Sequence, residues 1–289
     1  MAKIVITGAT GTIGQEVARA LLEAKQDVRI VARDPNKVSE LQRLGAEVVA
    51  GDFDDQASLE RAFQGAERLF LLTGFVENCV PQVRNAVEAA KAAGVRFILR
   101  MSAAGADPGA QFSLASHHGE AEGLVKGSGL GWAVIRPSFF MDNLINYAGA
   151  SLKASSAFYG AANEGKSAYV SSRDVGESAA AILRDPSKHA GKIYDLTGGE
   201  AVSEAEVARL ASEAAGREIK YVNLAADDFR KGITGSGAPD WIADAMVGLE
   251  SIKANGWGAG TTNAVQELTG RPPETYKAFF ERNKARLAG

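Results

Sequence analysis

The segment Ile4 to Gly14, I-V-I-T-G-A-T-G-T-I-G, is a β-branched run that meets three glycines at the mouth of an amphipathic stretch. Glycine lets the chain turn sharply and lets another group come close to the backbone. A helix starting there offers unpaired amides and the positive end of its dipole to an anion. A glycine pattern alone is weak, so its flanks decide. Ile13, Val17, Leu21 and Leu22 fall on one helical face, and Asp27-Val-Arg-Ile-Val-Ala-Arg33 reads as a second buried strand. Strand, glycine turn, helix and strand fit within about 30 residues, the size of one βαβ unit. Gly8, Thr10, Gly11, Thr12, Ile13 and Gly14 are therefore the expected seat of a dinucleotide pyrophosphate.

The end of the second strand selects the nucleotide. In NAD-binding units an acidic side chain about 20 residues past the glycines accepts hydrogen bonds from the ribose. Here Arg33 stands in that place, with Lys37 one helical turn further. A guanidinium cannot accept those bonds but can fork onto a 2′-phosphate, so NADPH is expected over NADH. In the competing reading Asp34 takes the acidic role, and Arg33 and Lys37 are solvated surface charges.

Composition narrows the function classes. The 289 residues carry a formal net charge of -3 with the signs interspersed, which gives no basic patch for nucleic acid or lipid. Cys79 is the only cysteine, so neither an internal disulfide nor a cysteine-rich metal site can form. His117, His118 and His189 lack metal-ligand spacing with the carboxylates, and no bound metal is expected. No apolar run approaches membrane-spanning length, and the first residues read as a strand rather than a signal peptide. A cytoplasmic protein with no membrane partner is expected. A homodimer stays compatible with the sequence.

Further strands are expected at Ala46 to Ala50, Arg68 to Thr73, Arg96 to Met101 and Trp132 to Arg136, alternating with helices such as Val80 to Ala93. Such alternation specifies an α/β fold, a Rossmann-like doubly wound parallel sheet. Ligands in that architecture sit at the carboxyl ends of the strands. Asp52 and Phe53 are thus candidates to bracket the adenine, Thr73 and Gly74 to line the ribose path, and Ser102, Pro137, Ser138 and Phe139 to meet the cofactor further along. A plain loop or capping role is open for each. Ser102 and Ser138 could equally bond the backbone.

After Ser138 the texture changes. A helix is expected over Phe139 to Lys153, short extended pieces at Phe158 to Gly160 and Ala168 to Val170, a helix from Arg173 to Leu183 and a strand at Lys192 to Leu196. Ser203 and Glu206 form a capping box, and a closing helix is expected from Glu274 to Arg286. The expected division is a nucleotide core at 1–138 with 171–198 returning to it, and a small, mostly helical substrate lobe from 139–170 and 199–289. Phe139, Phe140, Tyr147, Phe158, Tyr159, Trp241 and Trp257 in the later part could wall a small aromatic substrate over the nicotinamide end, or be ordinary core.

Several stretches also carry a family resemblance. T-G-A-T-G-T-I-G at Thr7 to Gly14, V-A-R-D-P-N-K ending at Lys37, A-G-D-F-D-D around Asp52, I-R-P-S-F-F-M-D-N-L at Ile135 to Leu144 and V-Q-E-L-T-G-R-P at Val265 to Pro272 resemble the NmrA-like atypical short-chain dehydrogenase/reductases. Within that group the chain is most similar to bacterial NAD(P)H azoreductases, quinone oxidoreductases and triphenylmethane dye reductases. The resemblance implies a Rossmann core, a C-terminal substrate lobe and NADPH. Carbonyl-reducing relatives are similar to one another in a Tyr-x-x-x-Lys pair, whereas the corresponding stretch here is His118-Gly-Glu-Ala-Glu122. An alkoxide product needs a proton relay, and a conjugated acceptor is less demanding. The expected activity is therefore hydride transfer from NADPH to a quinone, azo or triarylmethane electrophile. Ser102 and His118 are the catalytic candidates, His118 as proton donor or else a helix-start cap. A nucleotide-sensing regulator without turnover and a carbonyl or imine reductase are the alternatives.

Overall fold

The computed structural model describes residues 4–287. The chain first alternates strand and helix: β1 (Ile4–Ile6), α1 (Thr12–Glu23), β2 (Val28–Ala32), α2 (Ser39–Arg43), β3 (Glu47–Ala50), α3 (Gln56–Phe63), β4 (Arg68–Leu71), α4 (Val80–Ala92), β5 (Phe97–Met101), α5 (Ser113–Lys126) and β6 (Gly131–Pro137). It continues through α6 (Asp142–Ser155), β7 (Ala157–Gly160), β8 (Lys166–Ser167), α7 (Ser172–Arg184) and β9 (Lys192–Leu196). The last part holds β10 (Val202–Ser203), α8 (Glu204–Ala215), β11 (Lys220–Asn223), α9 (Ala226–Gly235), α10 (Asp240–Ala254), α11 (Ala264–Thr269), α12 (Tyr276–Arg282) and α13 (Lys284–Leu287).

Two compact units result. One comprises the residues up to Pro137 with Ser172–Leu196 and Glu267–Gly270; the other comprises Ser138–Ser171, Thr197–Gln266 and the chain from Arg271 onward. In the first, seven parallel strands pair in the order β3-β2-β1-β4-β5-β6-β9. This is the expected Rossmann-like sheet. Its strands β1 and β5 are buried on both sides, which is why I-V-I and F-I-L-R-M read as runs without alternation. On one face Val5, Val31, Leu69, Leu71 and Ile98 pack under α3, α4 and α5. On the other, α1 lies against α7 so closely that a Cβ on Gly176 would stand 2.6 Å from the Cβ of Glu16. Burying a Phe63 or a Leu59 completely contributes about 2–3 kcal/mol each. Strand order reverses between β1 and β4, and the carboxyl ends there form the crevice in which such sheets bind nucleotides.

The second unit has its own core of Met141, Leu144, Phe158, Tyr169, Val207, Ala211, Tyr276, Phe279 and Phe280. Here β10 pairs with β8 and β11 with β7. Helix α8 opens on the expected capping box, Ser203 receiving the Glu206 amide and Glu206 the Ser203 amide.

Local differences from the sequence expectations have physical reasons. The helix expected from Phe139 begins at Asp142, because Phe139 accepts the Val170 amide at 2.8 Å and Phe140 bridges to Val170. The closing helix is broken at Asn283, whose side-chain amide donates to the Phe279 carbonyl and separates α12 from α13. His117 and His118 lie in the second turn of α5, four or more residues past its start, so neither is a helix-start cap.

Candidate functional site

The three motif glycines are required for different reasons. Gly8 has φ +73, and a Cβ there would lie 2.7 Å from the Leu72 side chain. A Cβ on Gly14 would meet the Gly8 carbonyl oxygen at 2.4 Å, so the helix can approach the strand turn only without one. Gly11 differs: its extended backbone (φ -99, ψ 167) suits any residue, and the nearest atom to a Cβ is the Gly8 oxygen at an ordinary 3.6 Å. The polypeptide leaves room at Gly11 for a group outside itself. Gly11 is also the N-cap of α1, and it supplies no side-chain cap to the first-turn amides. Thr7 anchors the approach, its hydroxyl accepting the Leu72 amide and lying 2.9 Å from the Leu72 carbonyl. Thr10, Thr12 and Ile13 complete this loop and first turn.

Arg33 follows β2 directly, and it and Lys37 are exposed. Neither side chain has a hydrogen bond or ion pair to the protein among the described residues. Asp34 instead spends Oδ1 on the Asn36 amide at 3.0 Å, capping a short 3-10 turn. That geometry favours the cationic reading of this corner over the acidic one. After β3, Asp52 uses Oδ1 on the Asp54 amide at 3.1 Å, and Phe53 packs partly against the core while its carbonyl accepts from Asn85. Both follow the carboxyl end of β3, and buried Thr73 and exposed Gly74 follow that of β4.

Past the carboxyl ends of β5 and β6 the structure gathers a polar network whose partners are far apart in sequence. Glu122 on α5 is its centre. Its carboxylate accepts both Nε and Nη2 of Arg136 at 2.7 Å each, Lys126 Nζ at 2.7 Å and the Ser102 hydroxyl at 2.7 Å. Burial opposes the charge on Glu122, but the bonds from Arg136, Lys126 and Ser102 win and hold its pKa down to about 2. Ser102 is further fixed by its amide, which donates to the Ile135 carbonyl at 2.8 Å.

Behind this network Arg100 is wholly buried in β5. Its Nη1 donates to the Leu71 carbonyl, Nη2 lies 3.7 Å from the Cys79 sulfur, and Nε has no partner among the described residues. Burial and this neighbouring cation push the His118 pKa down to about 4. His118 is therefore neutral near pH 7, and its buried Nδ1 has no partner among the described residues. Its neighbour His117 sets Nδ1 against the Glu77 carbonyl at 2.8 Å.

Pro137 ends β6 in the first unit, while Ser138 and Phe139 belong to the second unit. The Ser138 hydroxyl donates to the Ala168 carbonyl, so it serves the backbone. In that unit Lys253 bridges Glu204 at 2.7 Å and Glu250 at 2.8 Å, beneath the rings of Phe139 and Tyr169. Burial works against the Lys253 charge, and the two carboxylates more than offset it, raising its pKa. Of the aromatic candidates, Phe158 is core, whereas Tyr147 and Trp257 are 82% and 68% exposed. A cavity of about 260 Å³ in this unit is lined by Met141, Tyr169, Glu200, Pro273 and Tyr276, among others. Among the described residues no three His, Cys, Asp or Glu side chains gather as a metal site, and no helix is long and apolar enough to cross a membrane.

The Glu122 network and the buried Arg100 escaped the sequence reading. Glu122 and Lys126 are spaced four apart, which looks like an ordinary surface pair. The available signal was Arg100 itself, a charge in the middle of an otherwise apolar parallel strand.

Comparison with known proteins gives a consistent picture. The pattern of the NmrA-like family matches residues 1–267. An NAD(P)H azoreductase of Xenophilus azovorans is 36% identical over 282 residues, covering 98% of both chains. Quinone oxidoreductase 2 of Escherichia coli is 34% identical over 275 residues, covering 94% of this chain and 95% of that one. The crystal structure of the Escherichia coli NADPH-dependent quinone oxidoreductase complexed with NADPH superimposes with a TM-score of 0.86 at 31% identity, covering 97% of this chain and 99% of that one.

Proposed function

From the premise that this chain belongs to the NmrA-like family, we propose that it is an NADPH-dependent oxidoreductase that passes hydride to a conjugated aromatic electrophile of the quinone or azo type. The observation that carries the cofactor assignment is Gly11, where the protein leaves room that its own packing does not need. NADPH bound there supplies the hydride. The chain's own residues bind and orient it: the Gly8 to Gly14 turn and the start of α1 hold the pyrophosphate, and Arg33 with Lys37 holds the 2′-phosphate.

The choice of acceptor rests on near full-length similarity to an azoreductase and a quinone oxidoreductase, and on the state of the two acid candidates, His118 and Ser102. His118 is neutral at ordinary pH, and Ser102 donates its proton to Glu122. An acceptor that delocalises the arriving charge and takes its proton from water does not need either. A ketone does. His118 and Ser102 thus serve as contacts of the reaction site rather than as acids.

The test is oxidation of NADPH and NADH, followed by absorbance, with quinones, azo dyes, triarylmethane dyes and simple ketones under one set of conditions. Turnover with NADPH and a conjugated acceptor is expected, and none with simple ketones. Tight NADP binding with no turnover across the panel would replace this reading by a nucleotide sensor. A companion variant checks the selector. Arg33→Ala is expected to raise the KM for NADPH roughly 10- to 100-fold, the loss of one charge-assisted pair to phosphate, about 1.5–3 kcal/mol. The KM for NADH, which has no 2′-phosphate, should change less than about threefold. Equal losses with both cofactors would remove Arg33 from that role.

A further inference from the structure

Glu122 holds a hydroxyl in one orientation. A serine has a single proton to donate, and Ser102 gives it to Glu122 Oε1 at 2.7 Å. The carboxylate cannot turn away, because Arg136 grips it with two parallel bonds and Lys126 with a third. Glu122 is 1% exposed and Ser102 is 4% exposed, so water has little chance to replace either partner. What Ser102 retains for a ligand is its lone pairs. It stands just past β5, at the carboxyl edge of the sheet where such folds place their ligands.

The two classes of ligand differ in what they can offer to lone pairs. Quinone oxygens and azo nitrogens only accept hydrogen bonds, and an acceptor-only Ser102 has nothing to give them. The nicotinamide end of NADPH carries donors, the carboxamide N–H and the ribose hydroxyls. Resting on the oxidoreductase reading above, we propose that Glu122 is a positioning residue that dedicates Ser102 to the cofactor, fixing it as a hydrogen-bond acceptor for a donor at the nicotinamide end. Ser102 then sets the angle at which the hydride is presented and takes no part in proton transfer.

The test is a double-mutant cycle on the enzyme with NADPH and a quinone, using Ser102→Ala, Glu122→Gln and the double variant. Each single change is expected to lower kcat about 10- to 100-fold while the quinone KM moves less than about threefold. The double variant should fall no further than the worse single one, because Glu122 acts through Ser102. Additive losses in kcat would overturn the proposal, as would a Glu122→Gln enzyme with wild-type kcat. Thermal midpoints are read alongside, since a purely structural Glu122 would lower the midpoint of both Glu122→Gln enzymes without this coupling. Should Glu122→Gln fail to fold, Arg136→Lys loosens the same carboxylate, and its kcat loss must likewise vanish on the Ser102→Ala background.

A cofactor analogue in which an acetyl group replaces the carboxamide separates the two donors. If the analogue costs wild type rate but costs Ser102→Ala nothing, the donor is the carboxamide. If both enzymes lose equally while the cycle stays coupled, the donor is a ribose hydroxyl. Either result supports the proposal. No NADPH oxidation by the wild-type chain would remove the oxidoreductase reading and this inference with it. Turnover with additive losses removes the inference alone.

Discussion

Gly11→Ala is expected to fold like the wild type and to lose NADPH binding by about 100-fold or more. The reason lies in what surrounds each motif glycine. At Gly11 the backbone is extended and a methyl would sit 3.6 Å from its nearest neighbour, so the polypeptide has no objection to alanine. A pyrophosphate approaching the first amides of α1 does, because the methyl stands in its path. The thermal midpoint without ligand should move by less than about 3 °C, since no buried contact changes.

Gly14→Ala provides the contrast. Its methyl would lie 2.4 Å from the Gly8 oxygen, and backbone must shift to admit it. A loss of roughly 2–4 kcal/mol of stability is expected, visible as a lowered midpoint with or without cofactor. Calorimetry for stability and a fluorescence titration with NADPH for affinity check both variants. Wild-type affinity in a folded Gly11→Ala protein would show that the glycine turn is not the pyrophosphate seat.

That contrast also shows how far the sequence could be read. The spacing of Gly8, Gly11 and Gly14 announced a ligand turn because local geometry dictates it: a positive φ at Gly8, close packing at Gly14 and open room at Gly11 all arise within one short turn. The parallel sheet was legible for a similar reason, as buried strands such as Phe97–Met101 are apolar on both faces apart from Arg100. The Glu122 network was not legible. Ser102 lies 20 residues before Glu122 and Arg136 lies 14 after it; the register of β5 beside β6 sets Ser102 next to Arg136, and the packing of α5 on those strands brings Glu122 to both. Position 118 illustrates the same limit. A histidine after a polar stretch looks like a surface group or a catalytic acid, and neither reading can anticipate a buried arginine on the adjoining strand. The extended Phe139 was likewise set by a partner outside the local pattern, the Val170 amide.

The buried neutral histidine leads to the second large effect, a loss of stability in mild acid that begins well above the carboxylate range. His118 has its pKa lowered from 6.5 to about 4 in the folded protein, chiefly by burial and then by Arg100. Between those two pH values the unfolded chain binds a proton that the folded chain refuses. Stability is therefore fully present above about pH 6.5 and declines as pH falls toward 4, by about 3 kcal/mol in all. Glu122, lowered from 4.5 to about 2 by Arg136, Lys126 and Ser102 against the opposing effect of burial, continues the decline. Its contribution is complete above about pH 4.5 and is lost toward pH 2, by at most about 3 kcal/mol.

Denaturant unfolding of the wild type and of His118→Gln at intervals from pH 7.5 to 4.5 isolates the first of these. A glutamine side chain does not titrate, so the gap between the two proteins should change by about 2–3 kcal/mol across that range, with the wild type losing more. Quinone turnover should show no rise toward pH 5, because His118 gains no proton there to donate. A wild-type stability that is level between pH 7 and 4.5, together with a rate that climbs in acid and is flattened by His118→Gln, would identify His118 as an imidazolium donor and reverse its assignment.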